Sequence, residues 1–145
     1  MPSDGLNAGQ ILAPQVSEQY EVGAKATVGE TLFTLAFFNI DKPNNYKNSL
    51  GYYTQDGRQE NNGMEFSVTG KVVPELTVVG GITLLDPKVK KTSVAANEGN
   101  APTNVAKQLA KVYAEYDLDA VPGLALTGGA YYTGCLLYTS DAADE

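Results

Sequence analysis

Histidine and tryptophan are missing altogether from the 145 residues, and cysteine occurs once, as Cys135. Without histidine there is no Ser-His or Cys-His nucleophile pair and no imidazole ligand for zinc, and a lone cysteine cannot close an internal disulfide. Positive charge is also scarce: 10 Lys and Arg face 17 Asp and Glu, and only Lys88, Lys90 and Lys91 cluster. A surface of that sign does not attract a phosphate backbone, so nucleic acid is not an expected partner. Nor is there a run of about 18 apolar residues of the kind a membrane helix needs, and residues 1–5 have neither the basic stretch nor the apolar core of a signal peptide. Hydrolase, zinc-enzyme and helical-membrane readings are thereby set aside. What the chain does have is a folding composition, 43% hydrophobic and 19% charged, with 15 glycines and nine tyrosines.

The last residues change character abruptly. Cys135 to Asp144 read CLLYTSDAAD, which TGT-CTC-TTA-TAC-ACA-TCT-GAC-GCT-GCC-GAC encodes in order and which resembles the translation of a transposase adapter used in sequencing libraries; the plainer reading is an apolar strand with an acidic tail. Residues 135–145 are therefore expected to be non-native and residues 1–134 to carry the fold. Setting aside Asp141, Asp144 and Glu145 moves the net charge from −7 to −4.

Between those ends the dominant signal is period-2 alternation. In residues 63–72 the even positions are Met64, Phe66, Val68, Gly70 and Val72, and the odd ones are Gly63, Glu65, Ser67, Thr69 and Lys71. The same parity recurs in residues 19–28, 76–85 and 124–133, with no charge on any even position. Side chains alternate between the two faces of a strand, so these runs predict sheets with an apolar medium on one side and water on the other. Residues 31–40 are apolar at both parities, and their facing is open. Residues 104–118 carry helical spacing behind Thr103 but also alternate, and with strands on either side they are expected to be a strand.

The connections predict the architecture. Those after the first, third and fifth strands are short (Gly29-Glu30, residues 73–75 and residues 119–123), whereas two are long: residues 41–62, rich in Asn, Tyr and Gly, and residues 86–104, with Asn97-Glu98-Gly99-Asn100 and Pro102. Tight turns at one end and long loops at the other, joining segments of about ten residues, describe a transmembrane β-barrel. The expected fold class is all-β: an antiparallel meander of about six strands, a partial arc of an outer-membrane β-barrel. Six strands do not close such a barrel. A closed sheet is needed because lipid supplies no water to pair with backbone groups.

The strings LAPQVSEQYEVGAKATVG (12–29), TLFTLAFFNIDKPN (31–44), NGMEFSVTGKVVPELTVVGGITLLDPKV (62–89) and NEGNAPTNVAKQLAKVYAEYDL (97–118) together resemble the barrel region of TonB-dependent siderophore receptors. The likeness runs from about residue 11 to residue 134. It is carried by L-x-P-Q-x-S-x-Q-x-E-x-G-x-K, G-x-E-x-x-x-x-G, G-G-x-T-x-L-D and N-x-P-T-N-V-A-K in family order. The resemblance implies a plugged barrel in the bacterial outer membrane that takes up ferric siderophores and is driven by TonB. It implies no enzyme activity and no cofactor, with ferric siderophore, TonB and outer-membrane lipid as partners. The plug, the TonB-contacting N-terminal region, the early strands and the final strand are expected to lie outside this chain.

Among candidate site residues, Tyr52, Tyr53 and Arg58 lie in the first long connection. Aromatic faces and a guanidinium there suit an anionic ferric complex; the plainer reading makes the tyrosines part of an interfacial aromatic girdle. Glu21, Lys25, Glu65 and Lys71 fall on the water side of the strands, where they line a path or solvate an interior. Asp41, Asn44, Asn45 and Asp56 offer oxygens without the spacing of a calcium loop. Glu60 and Glu65 are a loop charge and a strand charge rather than an acid-base pair. The rival architectures are a passive porin-like barrel and a soluble all-β binding module whose even face packs on a second sheet.

Overall fold

In a computed structural model the chain is described for residues 5–134; the proposed adapter segment, residues 135–145, lies outside the described residues. Six strands pair in sequence order into one antiparallel sheet: β1 (Glu18–Val28), β2 (Glu30–Lys47), β3 (Tyr53–Val73), β4 (Leu76–Lys91), β5 (Gln108–Asp117) and β6 (Ala125–Thr133). β5 confirms a strand in the contested segment, beginning four residues later than expected. The described residues form this one sheet.

Directly opposed residues share a face, so the pairing resolves the facing of β2. Val22 opposes Phe37, Ala24 opposes Leu35, and Ala26 opposes Phe33; in turn Phe37 meets Met64, Leu35 meets Phe66, and Phe33 meets Val68. The same face continues through Gly80 and Ile82 to Val112 and Ala110, and then to Ala130 and Tyr132. One apolar surface thus crosses all six strands. Its side chains are not sealed in a core: Phe66 is 40% and Leu126 58% exposed, and Val78 is half-buried. On β3 this surface runs from Met64 to Val72, about 27 Å of strand, which at a tilt of 35–45° covers about 20 Å of the ~25 Å apolar band of outer-membrane barrels.

The band stops abruptly. The next row on that face is Tyr20, Asn39, Asn62 and Asp86, and beyond it Glu18, Asp41, Glu60 and Lys88. Asn39 Nδ2 donates to Asn62 Oδ1 at 2.8 Å along this boundary.

The tight turns occur where expected. Gly29, at φ +59°, links β1 to β2 with positive φ at the first of two central residues, as in a type II′ hairpin. Pro74-Glu75 closes β3–β4, and the register shift between Lys71 and Val73 lets this turn follow the sheet's twist. Both long connections are shorter than expected. β2 and β3 continue through most of residues 41–62, leaving 48–52 as the link, and β4 runs on to Lys91. Outside the bilayer both faces of a strand meet water, so pairing there leaves no apolar alternation to read. Pro43 and Pro87 fit because each lies on an edge that the neighbouring strand no longer covers: β1 ends opposite Asp41, and β5 begins opposite Leu84.

Candidate functional site

The β2–β3 hairpin projects beyond the polar boundary at the end away from the tight turns, the extracellular end in barrels of this kind. Its tip is built by Asn48. The Asn48 N–H donates to the Tyr52 carbonyl at 2.9 Å, and Asn48 Oδ1 accepts from the N–H groups of Leu50 (3.1 Å) and Tyr52 (3.0 Å). Gly51, at φ +81°, turns the chain back into β3.

Of the predicted site residues, only Tyr52 stays in the link, 47% exposed. Tyr53 and Arg58 are strand residues of β3, five positions or about 16 Å apart, so the three do not converge on one pocket. The girdle reading fails for the tyrosines as well. Tyr53 lies nine residues, about 30 Å of strand, past the boundary row at Asn62. Tyr20, Tyr116 and Tyr132, on the apolar face, are better placed for a girdle. Arg58 Nη1 is 3.1 Å from Asp41 Oδ1, so its charge is already partnered.

Two ion pairs lace this hairpin to β4: Lys91 Nζ donates to Asp56 Oδ2 at 2.7 Å, and Lys90 Nζ is 3.1 Å from Glu60 Oε2. A third lies within β4, where Lys88 Nζ is 2.8 Å from Asp86 Oδ2. The Lys91 ammonium, with hydroxyls from Thr54 and Tyr46, holds the Asp56 carboxyl well below the usual carboxylate range; the same pairing raises Lys91. Desolvation, then Asp56, pushes the Tyr46 phenol up. The Asn62 amide and then Lys90 lower Glu60, and Lys88 lowers Asp86. The oxygens considered for a cation are dispersed: Asp41 to Arg58, Asp56 to Lys91, and Asn45 Oδ1 to the Gln15 amide at 2.5 Å. Glu60 and Glu65 are five positions apart along β3.

The face opposite the apolar belt encloses a hollow of about 510 Å³ bounded by β1 on one side and β6 on the other, so the sheet curls with its polar face inward. Glu21, Lys25 and Glu65 line it as expected; Lys71 does not, its Nζ reaching the Pro74 carbonyl at 3.3 Å beside the tight turn. The sequence reading missed Lys111 and Tyr131, which stand in one ladder row with Lys25, Thr34, Ser67 and Gly81. Parity was the available signal, since Lys111 has the odd number of Glu65, but the helical alternative for its segment obscured it. Nothing in hollow or hairpin assembles a nucleophile with a base. The arrangement offers hydrogen-bond donors, charges and aromatic faces, which suit binding.

Comparison with known proteins agrees with this geometry. The family model described as TonB dependent receptor-like, beta-barrel matches residues 2–144. The ferrichrome receptor FcuA of Yersinia enterocolitica is 36% identical over 133 residues, covering 89% of this chain and 17% of that protein. The ferrichrome outer membrane transporter/phage receptor of Escherichia coli K12 is 31% identical, covering 87% and 18%. Among solved structures, BauA, the ferric preacinetobactin receptor of Acinetobacter baumannii, superposes with a TM-score of 0.75 at 34% identity, over 91% of this chain and 21% of that one. The chain thus spans less than a fifth of the length of the curated relatives named here, which are receptors and transporters rather than enzymes. A sheet that turns one unbroken apolar face outward and a curled polar face inward, matched along nearly all its length, places this chain in the TonB dependent receptor-like β-barrel family of the bacterial outer membrane.

Proposed function

We propose that this chain is part of a receptor that captures a ferric siderophore at its extracellular end and admits it to the periplasm in a TonB-dependent manner, by binding and gating rather than by catalysis. The observation that carries the reading is the β2–β3 hairpin, which continues as a paired, ion-laced stalk well past the apolar belt and so holds aromatic and charged groups out in water. Relatives named for ferrichrome and for catecholate siderophores support that ligand class. Tyr52 is the ligand-facing candidate; Tyr53 and Arg58 take supporting places in the stalk. On the same reading residues 1–134 are receptor barrel and residues 135–145 an adapter translation, which resequencing the genomic locus across codon 135 tests.

The functional test is iron uptake. The gene containing this segment is expressed in a Gram-negative host without its own siderophore receptors and supplied with radiolabelled ferrichrome or a ferric tris-catecholate. Uptake that disappears without TonB while surface binding persists is expected. Uptake indifferent to TonB would favour the passive-pore alternative.

A further inference from the structure

The segment preceding β1 folds back onto the tip of the β2–β3 hairpin, and its contacts fall on the residues that flank Tyr52. Residues 5–10 make two consecutive turns, with the Ala8 N–H donating to the Gly5 carbonyl at 3.1 Å and the Gln10 N–H to the Asn7 carbonyl at 3.1 Å. They present two adjacent groups to the hairpin. The Leu6 N–H donates to the Gly51 carbonyl at 3.0 Å. The Asn7 side chain then takes both backbone groups of Tyr53: Oδ1 accepts from the Tyr53 N–H at 2.8 Å, and Nδ2 donates to the Tyr53 carbonyl at 3.0 Å.

The Tyr53 backbone needs such a partner because these groups point away from β2, toward the edge that β4 would cover. The β3–β4 pairing ends at Arg58–Lys91, five positions short. A primary amide offers one acceptor and two donors, enough to match a peptide group on a strand edge. Asn7 therefore acts as a single rung of ladder, 46 residues away in sequence. Gly5, at φ +93°, permits the approach: a Cβ there would stand 3.0 Å from the Gly51 carbonyl oxygen.

With Asn48 on the inner side, every backbone polar group from the Gly51 N–H to the Tyr53 carbonyl is bonded. Tyr52 is an exposed aromatic ring on an immobilised backbone. Ordering a ligand-contacting side chain before the ligand arrives lowers the cost of binding.

We infer that Asn7, with Leu6, is a latch whose role is to preorganise Tyr52 at the extracellular tip, making Asn7 a positioning residue for ligand capture. The inference rests on the proposed function, and the experiment separates the two. In the full receptor in outer-membrane vesicles, hydrogen exchange of the tip is compared between wild type, Asn7→Ala and Asn7→Asp. The latch predicts that Tyr53 amide exchange accelerates about tenfold in Asn7→Ala, with a smaller effect in Asn7→Asp, which keeps the acceptor. Unchanged exchange in Asn7→Ala overturns the latch, whatever the receptor binds.

Binding of ferrichrome and of a ferric tris-catecholate is then measured in a double-mutant cycle with Tyr52→Ala. Asn7→Ala should weaken binding roughly two- to tenfold in the wild-type background and leave it unchanged once Tyr52 is removed. Equal loss in both backgrounds overturns the positioning role. No effect of Tyr52→Ala, or no binding of either probe by the wild type, overturns the capture reading at the tip and this role with it, leaving the exchange result to judge the contact alone.

Discussion

The lower and upper halves of β3 are one continuous strand in two media. Below Asn62 its even-numbered residues, Met64 to Val72, are apolar and its odd-numbered ones largely polar, with glycines at both parities; above Asn62 it reads TQDGRQEN, with no apolar face at all. The lower half pairs with neighbours that repeat the same division. Backbone hydrogen bonds stay inside the sheet, and the outward side chains need only be compatible with hydrocarbon. The upper half is held by Arg58 to Asp41, Lys91 to Asp56 and Lys90 to Glu60, and the far edge of β4 beside it is met by the β4–β5 connection, where the Val89 N–H donates to the Asn100 carbonyl at 2.9 Å. Gln59, Asn61, Pro87 and Val89 are buried there. The difference teaches that backbone pairing, rather than side-chain pattern, is what persists across the membrane surface.

The largest way to break this comparison is a charge on the outward face. Phe66→Arg should cost about 2–4 kcal/mol in urea unfolding of receptor refolded into lipid vesicles, whereas Asn62→Arg, four residues higher on the same face, should cost less than about 1 kcal/mol. Equal penalties would mean that the belt does not meet hydrocarbon. A second test concerns the inner face. Phe38 lies over Gly63, where a Cβ would overlap its ring. Gly63→Val is expected to destabilise by about 1–3 kcal/mol, and combining it with Phe38→Ala should cost less than the sum of the two changes. Strict additivity would argue against the contact.

The upper half, by contrast, should respond to acid. Asp56 has a depressed carboxyl, so its contribution is fully present above the ordinary carboxylate range and is lost as pH falls through its lowered value. Exchange at Tyr46, Thr54 and Lys91 should therefore rise in strong acid, and Asp56→Asn should show that looseness already at neutral pH. The smallest effect is expected from Arg58→Ala. Its pair with Asp41 is half exposed on both sides, and exposed pairs contribute below about 1 kcal/mol, so thermal stability should barely move.

Much of the fold was legible in parity. β1, β3, β4 and β6 could be oriented from sequence because each had one clean face. β2 could not, since Leu32, Phe33, Leu35, Phe37 and Phe38 occupy both parities; only its partners show that Phe33, Leu35 and Phe37 face outward, while Phe38 turns inward over a glycine. The stalk was misread as loop because Asn, Gly and Pro are loop-forming residues in most settings. Here Gly57 is needed because a Cβ would collide with the Asn44 carbonyl, and Pro43 and Pro87 stand where β1 and β5 no longer pair with their strands. The candidate site was legible in part. Tyr52 was found from its place in a polar connection, but Asn7 bonds to a residue 46 positions away, and no local pattern announces such a contact.

The row of Tyr20, Asn39, Asn62 and Asp86 works like a waterline on a hull. Because amides and a carboxylate resist immersion, the depth at which the molecule rides is set by where that row begins, and a membrane of another thickness must deform around it or tip the strands.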